Sequence, residues 1–294
     1  MYAKVITHSQ APNGEELITM EIELHRFILP EFNTHRVFSR NFQSSRAVPI
    51  KKMIEQVRNN PAIPVHFGKN QRGMVAEEAL TGDQLEAAKA WWLISAQDAA
   101  YNAEYMDFIG IHKQVVNRVL EPYMWTKGVV TATKEGFEGF FKLRCHRDAQ
   151  PEIQALAFAM KDALEASVLT QLDYGDYHLP YIIDHLANRQ EAQSTGRYLD
   201  NESAVKIATS CTAQVSYRSL DQSLDKALKI YDMLNLPVNG AYPEDPPHFS
   251  PTEHVAKVVK DYEHESFMGG NFSTGTFWQY RKALEEGAEE LFLR

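Results

Sequence analysis

Cysteine is nearly missing from this chain. Only Cys145 and Cys211 occur in 294 residues, which excludes a disulfide framework and a cysteine-built zinc site and points to a reducing compartment. Both read as buried thiols. Basic excess is also lacking: 30 Lys and Arg against 39 Asp and Glu leave a formal charge of -9 at pH 7. A protein that grips duplex nucleic acid draws most of its affinity from a cationic face on the phosphates. That class is excluded, although a local basic pocket can still hold a small anion. Long apolar runs are absent too. The stretch at 115–120 is interrupted by Asn117 and Arg118 and falls far short of the roughly 20 apolar residues that cross a bilayer, so no membrane partner is expected. The opening MYAKVITHSQ has neither an apolar core nor a small-residue cleavage site, and the expected location is the cytoplasm. Low-complexity tracts and repeats at solenoid periods do not occur.

What is present is material for a large core, 44% hydrophobic and 11% aromatic, enough for one big domain or two modest ones. Ile18, Met20, Ile22 and Leu24 alternate with Thr19, Glu21, Glu23 and His25, a period of two that predicts a half-buried strand. A strand at 2–7 would pair with it through a connection containing Pro12, Asn13 and Gly14. From about Pro30 the pattern turns helical. Asp83 followed by Glu86 resembles a capping box ahead of a long helix with Leu85, Ala88, Trp92 and Ala96 on one face. Helices are further expected at 113–124, 134–144, 151–169, 202–214, 219–234, 251–262 and 276–291, with a proline-rich loop at 239–251. The fold class is α+β and helix-rich.

The densest group of chemically useful side chains is HRVFSRNFQSSR at 35–46, which holds His35, Arg36, Ser39, Arg40, Asn41, Ser44, Ser45 and Arg46. Guanidinium forks beside hydroxyls suit phosphate recognition; a solvated polar helix end is the plainer reading. Arg144 lies in FFKLRCHRDAQPEIQ, where it can serve as a cation at a helix C-terminus. HFSPTEH at 248–254 reads as a helix start, with Ser250 as N-cap, Pro251 at N1 and Glu253 at N3. Cys145 adjoins Arg144, but adjacent helical residues point in different directions, and it reads as structural.

These three segments together resemble the flavin-dependent thymidylate synthases, the thymidylate synthase complementing proteins. The family pattern Arg-His-Arg, two residues, Ser, one residue, Asn-Glu, one residue, Ser, one residue, Arg-Tyr is met in register by His35, Arg36, Ser39, Asn41, Ser44 and Arg46. Thr34, Phe42 and Ala47 replace the first Arg, the Glu and the Tyr. The second segment is similar to the family's Leu-Arg helix and supplies Arg144, Ala149, Gln150, Glu152 and Ile153. The third is similar to its His-x-Ser/Thr-Pro-x-Glu-His element, which the family places before the His-Arg motif. Here it follows, so the resemblance implies a circular permutation, possible where the original ends lie close together. The family's usual N-terminal segment would then stand near 202–262 of a single 1–294 domain.

The resemblance implies a β-sheet flanked by helices, a homotetramer with shared active sites, and methylation of dUMP at carbon 5 to dTMP. FAD would be the cofactor, with methylene tetrahydrofolate and NADPH as co-substrates. It makes Arg144 the catalytic cation, which stabilises charge developing on the pyrimidine. It makes Glu31, Ser44, Ser45, Arg46 and Arg118 nucleotide contacts, and His35, Arg36, Asn41, Ser250 and Glu253 flavin contacts. Ungapped matching puts Asn117 at the Arg118 position; a shift of one residue turns a helical side chain by about 100 degrees. The departures at Thr34 and Phe42 leave open another pyrimidine nucleotide, a hydroxymethyl product, or a nucleotide-binding homologue without activity. No metal site is expected.

Overall fold

The computed structural model describes residues 1–74, 76–182, 200–216, 223–238, 240–260, 272 and 276–294. The ends of two expected helices, at 219–222 and 261–262, lie outside them. The expected hairpin is present: β1 (Tyr2–Gln10) and β2 (Glu16–His25) pair antiparallel. In the connection the Asn13 side chain accepts the Glu15 N–H at 3.1 Å, and Gly14 takes φ +91°, a left-handed value that glycine adopts without strain. β3 (Ser39–Phe42) pairs antiparallel with β4 (Trp125–Thr133), β4 pairs with β2, and β5 (Thr170–Gln171) joins β1 in parallel, giving the order β3-β4-β2-β1-β5.

One face of this sheet packs on helices. Ile18, Met20, Ile22 and Leu24 form a core with Phe32, Phe38, Phe137 and Phe140, and with Ile153, Leu156 and Met160 of the Pro151–Glu165 helix. Full burial of such a side chain contributes about 1.5–3 kcal/mol. The helix Lys134–Arg144 stands where the periodicity puts it, and the helix expected at 151–169 stops at Glu165, four residues early, before the chain extends into β5.

The other face of β2 differs from expectation, because it is buried as well. Leu17 packs with Ala256, Val258 and Phe277 of a second sheet, formed by β6 (Tyr177–His178), β7 (Ala256–Val258) and β8 (Phe277–Gln279). Thr19, which alternation assigns to solvent, hydrogen-bonds Thr131 at 2.6 Å and His178 at 2.8 Å. The chain of contacts continues from His178 to Ser9 at 2.9 Å and from Thr131 to His254 at 2.8 Å. All five side chains are buried, as polar groups can be when each finds a partner. Burial holds both imidazoles neutral, with pKa values lowered from 6.5 to about 3.

Three expected helices change form. At 113–124 a single α-turn, Lys113–Val116, passes into the 3-10 helix Asn117–Tyr123, which contains Pro122; proline in an α-helix interior clashes with the preceding turn. At 251–262 only the 3-10 turn Ser250–His254 forms before the chain extends into β7, where Val255, Ala256 and Val258 are buried. At 276–291 the chain makes β8 and the short helices Tyr280–Glu285 and Glu289–Leu293, separated at Gly287 by a positive φ. The long helix Gly82–Phe108 lacks the capping box: Thr81 is its N-cap and makes no side-chain bond. The helices Asn201–Ala213 and Leu224–Asp232 complete the α+β arrangement of sheets flanked by helices. Among the described residues no helix is long and apolar enough to cross a membrane, and no cluster of three or more His, Cys, Asp or Glu is disposed to hold a metal.

Candidate functional site

The His-Arg motif runs from a short helical turn, Leu29–Phe32, into β3 at the edge of the large sheet. Phe32 and Phe38 stack at 5.5 Å and anchor the segment between them to the core. The polar side chains of 31–46 are thereby held at a rim. Phe42, which stands where the family pattern has Glu, faces β4 at Gly128; a Cβ there would lie 2.2 Å from the Phe42 ring. The ring also meets Phe32 edge-on at 5.6 Å. Position 42 has become a packing residue, and Gly128 makes the room. Thr34 spends its hydroxyl on the Glu31 carbonyl at 2.7 Å, closing the turn.

Three groups of polar side chains emerge along this rim. In the first, Arg144, the last residue of its helix, donates from Nη1 to Glu31 Oε1 at 2.6 Å and from Nε to His35 Nε2 at 2.8 Å. Burial, then the Arg144 and Arg40 charges, lower the His35 pKa to about 4, so His35 is a neutral acceptor. Phe140 meets its ring edge-on at 4.8 Å. Arg40 donates to the carbonyls of Asn33 and His35. Residues predicted to touch nucleotide, flavin and base are thus in direct contact.

The second group surrounds the turn after β3. Ser45 is buried and donates to Glu121 at 2.7 Å, whereas Ser44 is half-buried and Arg46 is exposed. The choice between Asn117 and Arg118 has a geometric answer. Asn117 is fully buried and donates from Nδ2 to the carbonyls of Ser45 at 2.6 Å and Val48 at 3.0 Å, so it shapes the turn. Arg118 is half-exposed and pairs with Glu121 at 2.9 Å.

The third group comes from the distant end of the chain. The Ser250–His254 turn packs against β3 and against the Asn201–Ala213 helix. Ser250 is exposed and is not the N-cap, a position that Phe249 takes; Pro251 follows at N2 and Glu253 is largely buried in an ion pair with Arg281. Burial raises the Glu253 pKa, while the Arg281 and Arg40 charges pull it back. Gln279 links the two segments by donating to Ser39 Oγ at 3.2 Å and to the Glu253 carbonyl at 3.0 Å. Asn41 donates its amide to the Thr212 carbonyl at 2.8 Å, so that side of it is engaged inside the protein, and Arg36 is exposed.

Sequence reasoning missed Glu121, Arg26, Gln279 and Arg281. The Arg26–Glu121, Gln279–Ser39 and Arg281–Glu253 pairs span 95, 240 and 28 residues, so no local spacing signals those contacts, although Glu121 also pairs with Arg118 three residues before it. Beside the Ala149–Gln150 motif lies a cleft of about 760 Å³ lined by His66, Glu77, Arg147, Asp148, Gln154 and Phe158 among others.

A rim of arginines and hydroxyls on an α+β scaffold suits an anionic small molecule rather than a polymer. The family follows from comparison with known proteins. The model described as thymidylate synthase complementing protein matches residues 10–168, more than half of the chain, and the chain belongs to that family. The match contains the His35 and Arg144 segments; Ser250 lies beyond it. No curated protein matches. Among solved structures, a UMP/dUMP methylase PolB from Streptomyces cacaoi bound with 5-Br dUMP is 18% identical, with 52% of this chain and 68% of that one covered and a TM-score of 0.43. The flavin-dependent thymidylate synthase ThyX from Helicobacter pylori, complexed with FAD and dUMP, is 19% identical, with 50% and 67% covered and a TM-score of 0.35.

Proposed function

We propose that the chain is a flavin-dependent pyrimidine nucleotide methylase that converts dUMP to dTMP, with FAD as cofactor and methylene tetrahydrofolate and NADPH as co-substrates. The observation that carries this reading is the contact of Arg144 with both Glu31 and His35, within the segment that matches the family. The donor set fits an anionic dinucleotide: Arg36 and Ser250 are exposed, and His35, Arg40 and Asn41 are partly exposed, on one strand edge and the turn packed against it. His35, Arg36, Asn41, Ser250 and Glu253 would hold the FAD, which when bound supplies the reducing equivalents for methyl formation.

The chain's own residues position and polarise. Arg144 spends two of its five N–H donors on Glu31 and His35, which fixes the guanidinium plane. Its charge, shared with the Glu31 carboxylate, stabilises negative charge on the pyrimidine, and a neutral His35 accepts from it without adding a competing charge. Ser44, Ser45 and Arg46, with Arg118 nearby, hold the 5′-phosphate. Neither cysteine is needed: burial raises the Cys145 thiol pKa, and Cys211 is buried.

The permuted single-domain reading belongs to the same proposal. Its support is the packing of Ser250–His254 on β3 and on the Asn201–Ala213 helix. The homotetramer is supported by Trp91, Ile94, Tyr101, Tyr105 and Phe108, exposed large side chains along the Gly82–Phe108 helix, since soluble monomers seldom leave so much apolar surface in water. Phe42 and Thr34 keep a second pyrimidine nucleotide open as substrate.

Incubation with FAD, NADPH, labelled methylene tetrahydrofolate and a panel of pyrimidine nucleotides, read by mass spectrometry, tests the reading. The expected product is dUMP carrying one labelled methyl group. A labelled hydroxymethyl product, or methylation of another nucleotide alone, would replace dTMP synthesis with the corresponding reaction. No labelled nucleotide with FAD-loaded protein would sink the proposal.

A further inference from the structure

Three donors from separate segments converge on one oxygen. Ser45 Oγ, Arg118 Nη1 and Arg26 Nη2 donate to Glu121 Oε1 at 2.7, 2.9 and 3.4 Å. The turn that carries Ser45 is tied down from behind: Arg26 Nη1 donates to the Gln43 carbonyl at 3.1 Å, and Asn117 holds the Ser45 and Val48 carbonyls. The Ser45 and Arg26 donors are therefore held by the scaffold, whereas Arg118, half-exposed, meets only Glu121 among the described residues. The carboxylate itself lies near the surface, with its side chain 25% exposed beside an Arg118 side chain 51% exposed, so a rotamer change can carry it into water.

Two guanidinium groups and a hydroxyl on one anionic oxygen are the donor set that a phosphate oxygen takes. We infer that Glu121 is an internal stand-in for phosphate: it occupies the Ser45, Arg118 and Arg26 donors and yields them to the phosphate monoester of a bound nucleotide. This inference rests on the nucleotide reading above and adds to it a residue that competes with the phosphate. A ligand must bring more negative charge than the carboxylate it displaces. A dianionic phosphate monoester does so and a nucleoside cannot. Glu121 thus lowers the affinity for any anion that must displace it.

The test is calorimetric titration of the full chain with dUMP, deoxyuridine and inorganic phosphate. In Glu121→Gln the competing charge is gone, and dUMP should bind at least about fivefold more tightly, a modest share of what charge-assisted hydrogen bonds contribute once solvent exposure is allowed for. Deoxyuridine affinity should not change. Arg118→Gln should weaken dUMP binding. Equal or weaker dUMP binding by Glu121→Gln overturns the inference, and so does tightening for inorganic phosphate without tightening for dUMP, which would mark a separate anion site. Should Glu121→Gln melt early, Glu121→Asp keeps the charge but withdraws it by one methylene, and it too should bind dUMP more tightly; failure to do so overturns the inference. Failure of the underlying reading looks different: wild-type chain that binds no dUMP and forms no labelled product removes both. Wild-type binding that Arg46→Ala weakens, with Glu121→Gln unchanged, leaves the reading standing and removes only the role of Glu121.

Discussion

Two polar systems in this molecule use hydrogen bonds in opposite ways. The chain Ser9, His178, Thr19, Thr131 and His254 is neutral, fully enclosed, and joins the two sheets face to face. The cluster Glu31, Arg144 and His35 is charged and stands at the rim of the large sheet, partly open to solvent. The first has no access to a ligand, so its partners must be permanent. The second leaves the Arg144 side chain 22% exposed, and a half-solvated ion pair can exchange partners at little cost. In the enclosed chain only His254 Nε2 lacks a partner, whereas the rim cluster gathers its charges where solvent reaches them.

The comparison is broken most sharply by removing cations from the rim. Arg144→Ala should lower turnover at saturating dUMP by about 10²- to 10³-fold, the usual loss when a donor to developing charge is deleted, while FAD binding persists. Arg46→Ala should act on affinity instead, raising the dUMP dissociation constant by about tenfold or more, because the phosphate is present throughout the reaction. Steady-state kinetics beside equilibrium titration separate the two. If both variants keep normal affinity and turnover with the fold intact, the pyrimidine site is misplaced.

The enclosed system should fail as structure. Thr131→Val keeps the shape and deletes the hydroxyl, leaving Thr19 and the His254 Nδ1 without that partner. Urea denaturation should show a loss of about 1–3 kcal/mol, far above the change expected from an exposed position such as Thr34→Val. An unchanged midpoint would show that the chain contributes nothing to holding the sheets together.

Acid should weaken both systems, with a gentler effect near neutrality. His35, His178 and His254 have folded-state pKa values lowered from 6.5 to about 4, 3 and 3. The unfolded chain therefore binds more protons than the folded one below about pH 6.5. Their contribution is fully present above that pH and declines as the pH falls toward the folded-state values. Urea midpoints should be level from pH 8 to 7 and drop progressively from about pH 6 to 4. A midpoint that rises over the acid range would contradict the neutral assignment of these imidazoles.

Much of the large sheet was legible in the sequence, because β1, β2 and the helices at 134–144 and 151–165 are long enough to display a period. The second sheet was not. Its strands run two or three residues each, too short for alternation to show, and their burial is decided by contact with Leu17 and Thr19 far away in the chain. The family resemblance pointed to Glu31, His35, Arg144 and Ser45, which the fold gathers into two neighbouring groups. It did not lead to Arg281, whose partner Glu253 lies 28 residues away, or to Glu121, whose local pair with Arg118 does not reveal its contacts with Ser45 and Arg26. Asn117 shows the intermediate case: its residue type was visible, but only the tertiary contact with Ser45 shows that it shapes the turn while Arg118 carries the charge.

If the proposal holds, the Ser250 turn and the His35 motif should form one flavin site across a permuted chain. Fluorescence titration of the full chain with FAD, comparing wild type with Ser250→Ala, Arg36→Ala and the double variant, tests it directly. Both single variants leave exposed positions and should keep the fold. Each should weaken FAD binding several-fold, as loss of one hydrogen bond or ion pair to a ligand does, and the double variant should show coupling between them. Normal FAD affinity in Ser250→Ala alongside a loss in Arg36→Ala would contradict it, placing the flavin on the His35 motif alone and leaving the Ser250–His254 turn as a structural connection.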